Sequence, residues 1–151
     1  MKISEHLKAS LCVMDLQAKA KAETIEELAS VLNAAGKVLD QKKFVADILE
    51  REALGSTGIG HGVAIPHSRT ESVNGFLIAF GKSMPGVEFQ SLDGEKVNLV
   101  FLMGANPKEL NLYLRLLAEL SKLLMHSPFR QELSLAKTPE EVIEIFKKFE
   151  A

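Results

Sequence analysis

The chain has 151 residues, of which 46% are hydrophobic and 25% are charged, and this balance is typical of a globular domain rather than a disordered one. Its 18 basic and 20 acidic residues give a net charge of -2, and the absence of a lysine- and arginine-rich run argues against a nucleic-acid partner. The single cysteine, Cys12, excludes an intrachain disulfide and a cysteine zinc site. No signal peptide or membrane-spanning run is visible, so we expect one cytoplasmic domain over residues 1–151, without membrane insertion.

The first part of the chain predicts a short strand followed by a helix. Residues 11–14 form an apolar run that is typical of a buried strand. Thr24 and Glu27 have the spacing of a capping box, which predicts a helix that starts there and stops at Gly36. The expected buried face of this helix consists of Ile25, Leu28, Leu32 and Ala35.

A second helix is predicted from Asp40, because aspartate is a favoured N-cap residue. We expect Phe44, Ile48 and Arg51 to lie along one side of this helix. Four glycines then occur between residues 55 and 62, and they exclude a regular helix there. Residues 63–65 form a short apolar strand that ends at Pro66.

Two longer apolar runs predict the centre of a sheet. Residues 76–80 and 97–103 are apolar except for Asn98, with glycines at positions 75, 81 and 104, as is typical of central strands covered on both faces. Asp93 and Gly94 predict a turn before the second of these strands.

The last third of the chain predicts three helices. Pro107 opens the first, and Ser127-Pro128 and Thr138-Pro139 each place an N-cap residue before a proline at the first helical position. Thr138 and Glu141 also form a capping box. The apolar stripe of the first of these helices consists of Leu110, Tyr113, Leu117, Leu120 and Leu124. That of the last helix consists of Val142, Ile145, Phe146 and Phe149.

The segment from residue 57 to residue 68 is the most informative about function, and two nucleotide-binding motifs are excluded there. A P-loop needs a lysine where this chain has His61, and a serine or threonine where it has Gly62. The dinucleotide fingerprint fails at Val63, where a third glycine is needed.

What remains is a glycine-rich loop, a short strand and then His67. Pro66 restricts the backbone before His67 and delivers the imidazole at the end of a strand. The glycines allow backbone amides to approach an anion, and Arg51 can supply a fixed positive charge. A neutral histidine beside such a pocket is suited to attack phosphorus and carry a phosphoryl group.

Three other interpretations of this segment remain open on the residues alone. His67 can be a hydrogen-bonded structural histidine, and the glycines can serve only as turns. His61 and His67 can also be two metal ligands, although no third ligand is near them in the sequence. A metal-dependent hydrolase is therefore the weakest of the hypotheses.

The sequence GIGHGVAIPH at residues 58–67 closely resembles the active-site signature of a known family. This family consists of the IIA domains of the fructose/mannitol class of the bacterial sugar phosphotransferase system, including the nitrogen-regulatory IIA proteins. The resemblance extends to Arg51-Glu52 and Ser56-Thr57 before the loop, and to LRLLAELS at residues 114–121. The order of elements agrees from about residue 11 to residue 149.

The resemblance implies an α/β fold, a three-layer α/β/α sandwich in which a small mixed β-sheet lies between helices. It implies that His67 accepts a phosphoryl group from the histidine-containing phosphocarrier protein and passes it to a cysteine of a IIB domain or uses it as a regulatory signal. Arg51 would stabilise the phosphoryl charge, and Thr57, Gly60 and Gly62 would line the pocket. Neither a metal nor another cofactor is expected.

One position departs from the family pattern. Many members have a second active-site histidine just before the LRLLA segment, and this chain has Tyr113 there. Tyr113 can be an aromatic residue of the helix stripe, or its hydroxyl can donate to His67 or to the phosphoryl oxygens. A neutral tyrosine does not replace the charge of a protonated histidine, so the alternative function is a regulatory binding module that has lost full phosphotransfer competence.

Overall fold

A computed structural model describes residues 2–151, and within them the chain forms six β-strands and five α-helices. The strands are β1 (Cys12–Val13), β2 (Gly58–Gly60), β3 (Val63–Ala64), β4 (His67–Arg69), β5 (Phe76–Val87) and β6 (Val97–Ala105). The helices are α1 (Lys21–Ala34), α2 (Gln41–Ala53), α3 (Leu110–Leu124), α4 (Ser127–Leu135) and α5 (Pro139–Glu150). None of these helices has the length and apolar character that a membrane crossing requires.

The six strands form one mixed sheet in which β6 is the central strand. The order is β1-β5-β6-β3-β2, and β4 pairs with β6 farther along, after β3 has ended. β5 pairs antiparallel with β6, whereas β3 and β4 both run parallel to it. β1 is parallel to β5, and β2 is antiparallel to β3. The predicted α/β class with a small mixed sheet is confirmed.

The sheet lies between two layers of helices, as its central strand shows. Successive side chains of a strand point to opposite faces. Gly104 of β6 faces the ring of Phe44 in α2, whereas Phe101 of the same strand packs against Phe146 of α5 at 6.0 Å between ring centroids. Helix α1 packs with α2, and α4 packs with both α3 and α5. The predicted three-layer sandwich is therefore confirmed.

Helix α1 begins earlier than predicted, and the proposed capping box does not form. Ala20 is the N-cap, with an extended backbone that pairs in an isolated bridge with Glu88. Thr24 lies inside the helix, where its hydroxyl donates to the carbonyl of Ala20 at 2.8 Å. The Glu27 carboxylate instead accepts from the amides of Gln17 and Ala18. The contact that the chain makes with Glu88 before the helix thus sets the start of α1.

The other predicted helix ends agree with the structure, with three exceptions. Pro107 opens a short 3-10 helix, Pro107–Glu109, and α3 begins only at Leu110. Asp40 accepts from the amide of Lys43 at 3.1 Å, and Thr138 accepts from that of Glu141 at 3.2 Å. Ser127 is wrong as an N-cap, because His126 occupies that position and Ser127 is already helical. Ala35 is exposed rather than buried, because α1 ends just before it.

The strands differ from the prediction mainly in length and number. β5 continues to Val87 and β6 to Ala105, beyond the predicted ends at residues 80 and 103. The glycine-rich segment, predicted to be a loop, contains β2. His67 does not simply follow a strand end, since it begins β4. Cys12 lies buried in β1, and burial raises the pKa of its thiol to about 12, so it is an unreactive core residue.

The contact between Gly104 and Phe44 is expected to be intolerant of a side chain. A Cβ at residue 104 would lie 2.7 Å from Phe44 Cε1 in a fully buried site. We expect Gly104→Ala to lower the free energy of unfolding by about 1–3 kcal/mol, measured by urea denaturation. Gly94→Asn is the control, since nothing lies within 4 Å there and asparagine tolerates its positive φ of 76°. Equal stabilities of the two variants would contradict this view of the interface between α2 and the sheet.

Candidate functional site

His67 is held in place by a break in the pairing between strands. β3 ends at Ala64, the chain leaves the sheet over Ile65 and Pro66, and β4 rejoins β6 with His67 opposite Met103. The Met103 amide donates to the Pro66 carbonyl at 3.0 Å, which fixes the residue just before His67. The imidazole is therefore carried on a stretch of backbone that is anchored on both sides.

A hydrogen bond selects one tautomer of His67. Nδ1 lies 2.7 Å from the carbonyl oxygen of Ile65. A carbonyl oxygen can only accept, so Nδ1 carries the proton. In the neutral ring Nε2 then has the free lone pair. The atom available for attack on an electrophile is therefore Nε2.

The surroundings of His67 keep its imidazole neutral near pH 7. Burial is the main cause that lowers the pKa of His67 below its usual 6.5, and the nearby guanidinium of Arg51 also lowers it. The hydrogen bond to Ile65 and the carboxylate of Glu52 act in the opposite direction without reversing the shift. A neutral imidazole is the nucleophilic form.

Arg51 lies in the last turn of α2, as the sequence predicted for one side of that helix. One of its guanidinium nitrogens, Nη1, donates to the Gly55 carbonyl at 3.0 Å. The side chain lines a groove of about 400 Å3 together with Ser68 and Arg69, the two residues that follow His67. The structure thus brings Arg51 to the neighbourhood of His67.

Tyr113, on α3, also meets His67. The two ring centroids are 6.1 Å apart, and the ring planes are inclined by 50°. The tyrosine is 5% exposed, and burial raises the pKa of its hydroxyl to about 12, against the opposing effects of Arg69 and Arg51. Tyr113 is therefore a neutral phenol that can donate a hydrogen bond but adds no charge.

Thr57 belongs to a buried network whose centre is Glu52. The amide of Thr57 donates to both carboxylate oxygens of Glu52, at 3.1 and 3.3 Å, and its hydroxyl also donates to that carboxylate. Lys21 of α1 completes the network with an ion pair of 3.0 Å. Because its hydroxyl hydrogen points to Glu52, Thr57 stabilises the loop before β2 rather than presenting a free donor to His67.

The structure does not bring Gly60 and Gly62 to His67. They have φ values of 98° and 75°, and the Gly62 carbonyl accepts from the amides of Asn98 and Leu99. His67 lies opposite Met103, four residues farther along β6, which corresponds to about 13 Å. Gly60 ends β2 and Gly62 lies in the turn between β2 and β3, at the end of β3 away from the histidine.

The same register separates the two histidines that were considered as metal ligands. His61 lies in the turn between the two glycines, and it lines a different groove beside Arg130 of α4. Within residues 2–151, no three His, Cys, Asp or Glu side chains gather as a metal site would require. The pair of His61 and His67 therefore forms no metal site here.

Two residues near His67 were not singled out as site residues from the sequence. Glu52 appeared only as part of the resemblance, yet its carboxylate acts to raise the pKa of His67. Arg69 follows His67 by two positions in β4, and its charge acts to lower the pKa of Tyr113. Residues two apart in a strand lie on the same face, so Arg69 could have been placed on the side of His67 if β4 had been predicted.

Known proteins resemble this chain over nearly its whole length. Residues 5–149 match the family model described as phosphoenolpyruvate-dependent sugar phosphotransferase system, EIIA 2. A fructose-specific EIIABC component of Bacillus subtilis is 40% identical over 148 residues, which are 98% of this chain but 23% of that protein. The chain thus spans about a quarter of that relative's length.

Two solved structures extend the comparison. The nitrogen regulatory protein IIA-Ntr of Neisseria meningitidis is 31% identical, with a TM-score of 0.87 over 95% of this chain and 98% of that one. A complex of enzyme IIAMTL with phosphorylated enzyme IIBMTL from Escherichia coli shares the fold, with 23% identity and a TM-score of 0.79 over 94% of this chain and 99% of the matched chain. The match to the family model over nearly the whole chain, on a fold shared with solved IIA proteins, shows that this chain belongs to the EIIA 2 family of the phosphoenolpyruvate-dependent sugar phosphotransferase system.

Proposed function

We propose that this chain is a cytoplasmic phosphotransfer protein that accepts a phosphoryl group on Nε2 of His67 from the phosphorylated histidine-containing phosphocarrier protein. It then passes the group to a cysteine of a IIB domain or uses its phosphorylated state as a signal to a regulatory target. The observation that carries the proposal is the hydrogen bond from Nδ1 of His67 to Ile65, because it leaves Nε2 unprotonated.

The transfer step needs no metal or other cofactor. The lone pair of Nε2 attacks the phosphorus of the donor's phosphohistidine, a new N–P bond forms, and the N–P bond of the donor breaks. The donor's imidazole leaves with that electron pair, and the proton on Nδ1 of His67 remains on its hydrogen bond to Ile65. Because the donor already holds an activated phosphoryl group, catalysis consists of positioning and charge stabilisation.

Arg51 and Tyr113 have different roles in this proposal. Arg51 supplies positive charge to the phosphoryl oxygens, since it lies close enough to His67 to lower the pKa of the imidazole. Tyr113 donates a hydrogen bond to the phosphoryl group or to His67, because its ring faces the imidazole and its hydroxyl remains protonated. Thr57 acts indirectly, through the buried carboxylate of Glu52.

A second candidate function is a regulatory binding module that does not transfer phosphate. The observation that favours it is Tyr113, which cannot carry the charge of the second histidine found in many members of the family. The similarity to a nitrogen regulatory protein is consistent with a signalling role in either case. Mass spectrometry after incubation with the phosphorylated carrier protein separates the two, since a phosphate adduct on His67 favours transfer and its absence favours binding alone.

The central prediction concerns His67. We expect His67→Ala to lose all labelling by the phosphorylated carrier protein, because the attacking nitrogen is removed. The matched control is His61→Ala, which removes a histidine in the same segment but at the far end of β3, and it should be labelled like the unmodified protein. The label should be lost in acid and kept in base, as a phosphoramidate is. Labelling that persists in His67→Ala contradicts the assignment.

The pH dependence of labelling tests the electrostatics of the site. Because the pKa of His67 is lowered from 6.5, the labelling rate should fall with decreasing pH as the imidazole gains a proton, and the midpoint of this fall should lie below pH 6.5. Arg51→Gln removes a cation that lowers this pKa, so the midpoint of the fall should move to higher pH. It should also slow labelling by roughly 10–100-fold near neutral pH. An unchanged midpoint would contradict the role of Arg51.

Tyr113 offers a third test. Tyr113→Phe keeps the ring in its buried position but removes the donor, so we expect labelling to slow by roughly 10-fold while thermal stability changes little. Tyr113→His supplies the residue found in many family members. If the protein is not labelled but Tyr113→His is, the tyrosine is the cause of lost transfer and the second candidate function is favoured.

A further inference from the structure

A second arginine stands beside His67 on the same strand. His67 and Arg69 are the first and third residues of β4, paired with Met103 and Ala105 of β6. Residues two apart in a strand share one face, about 7 Å apart. That face is the one that meets Tyr113 of α3, because the His67 ring packs toward the tyrosine. The backbone therefore directs Arg69 to the side of the sheet on which the imidazole lies.

The charge of Arg69 is not neutralised by a neighbouring carboxylate. Within residues 2–151 its guanidinium takes part in no salt bridge, although Glu50 and Glu71 also line its groove. Lys43, another cation of the groove, is paired with Asp47 at 2.9 Å. Arg69 is exposed, so its guanidinium is accessible to an incoming anion.

Arg69 also acts electrostatically on the residue that faces His67. Burial is the main effect on the pKa of the Tyr113 hydroxyl and raises it. Of the two groups that act to lower this pKa, Arg69 has the larger effect and Arg51 the smaller. The two guanidinium groups line one groove and both influence Tyr113. A doubly charged phosphoryl group at His67 would thus lie beside a groove that is lined by two cations from different elements, Arg51 of α2 and Arg69 of β4.

We propose that Arg69 is a second phosphoryl-binding arginine, whose guanidinium contacts the non-bridging oxygens of the group at His67. Arg51 already uses one nitrogen on the Gly55 carbonyl, and Tyr113 donates without adding charge. Arg69 supplies the remaining positive charge and can bind two oxygens at once, as a planar guanidinium does. The catalytic role of Arg69 rests on the proposed transfer function, whereas its binding of phosphate does not depend on that function.

The chain provides its own optical probe for this site. It contains one tyrosine and no tryptophan, so its ultraviolet-excited emission comes from Tyr113, next to His67. Titration with inorganic phosphate at constant ionic strength should change this emission to a saturating value. Arg69→Gln should raise the half-saturating phosphate concentration at least about 5-fold, because a charge-assisted contact is lost.

Arg115→Gln is the matched control. Arg115 is exposed and lies two residues beyond Tyr113 on α3, on the opposite side of the helix, where it lines a separate groove beside Phe149. This variant loses the same charge and should bind phosphate like the unmodified protein. An Arg69→Gln variant that also binds phosphate normally, or an unmodified protein whose emission does not respond to phosphate, overturns the phosphate site.

Labelling by the phosphorylated carrier protein gives the second measurement. We expect Arg69→Gln to slow it by roughly 10–100-fold and Arg69→Lys to slow it less, while Arg115→Gln leaves it unchanged. If the unmodified protein is labelled and Arg69→Gln is labelled equally fast, the transfer function stands and the role of Arg69 is wrong. If the unmodified protein is not labelled but its phosphate response needs Arg69, the phosphate site stands and the transfer function is wrong. A protein with neither response contradicts both.

Discussion

The hydrogen bond between Nδ1 of His67 and the Ile65 carbonyl is the interaction on which the site depends. It is available because β3 and β4 pair with the same strand, β6, but are interrupted between Ala64 and His67. The carbonyl of Ile65, in the interruption, is thus free to accept from the side chain two residues later. Pro66 contributes by restricting the backbone there and by having no amide hydrogen of its own to satisfy.

Around this fixed ring, different residues provide the nucleophile and the positive charge. Burial and Arg51 keep the imidazole neutral, so its lone pair is available at physiological pH. In the proposed function, the positive charge that a phosphoryl group requires is supplied by arginines. Tyr113 lies beside the imidazole as a donor without charge.

Much of the fold could be predicted because its signals are local. The apolar runs of β5 and β6 and the caps at Asp40 and Thr138 act over a few residues, and each proved correct. The start of α1 could not be predicted, since it is set by a distant contact between Ala20 and Glu88. β4 was missed because three polar residues without alternation resemble a loop.

The candidate site was predictable to the same extent. His67 and Arg51 were singled out from the sequence pattern and the resemblance added Tyr113, and the structure places Arg51 and Tyr113 near His67. Gly60 and Gly62 are close to His67 in sequence, but the extended segment between them and His67 carries them away from it, so nearness along the chain was misleading. The position of Arg69 relative to His67 could be inferred only once β4 was known to be a strand.

In the proposed function, the fixed tautomer also makes the binding of the two partners mutually exclusive. Since Nδ1 is occupied by Ile65, only Nε2 can gain a phosphoryl group, and the same atom must release it. In the proposed relay the donor and the acceptor therefore approach one atom from one side and exclude each other. The protein then alternates between its partners as a shuttle, with no ternary complex, and an excess of either partner in its unproductive form competitively inhibits exchange with the other.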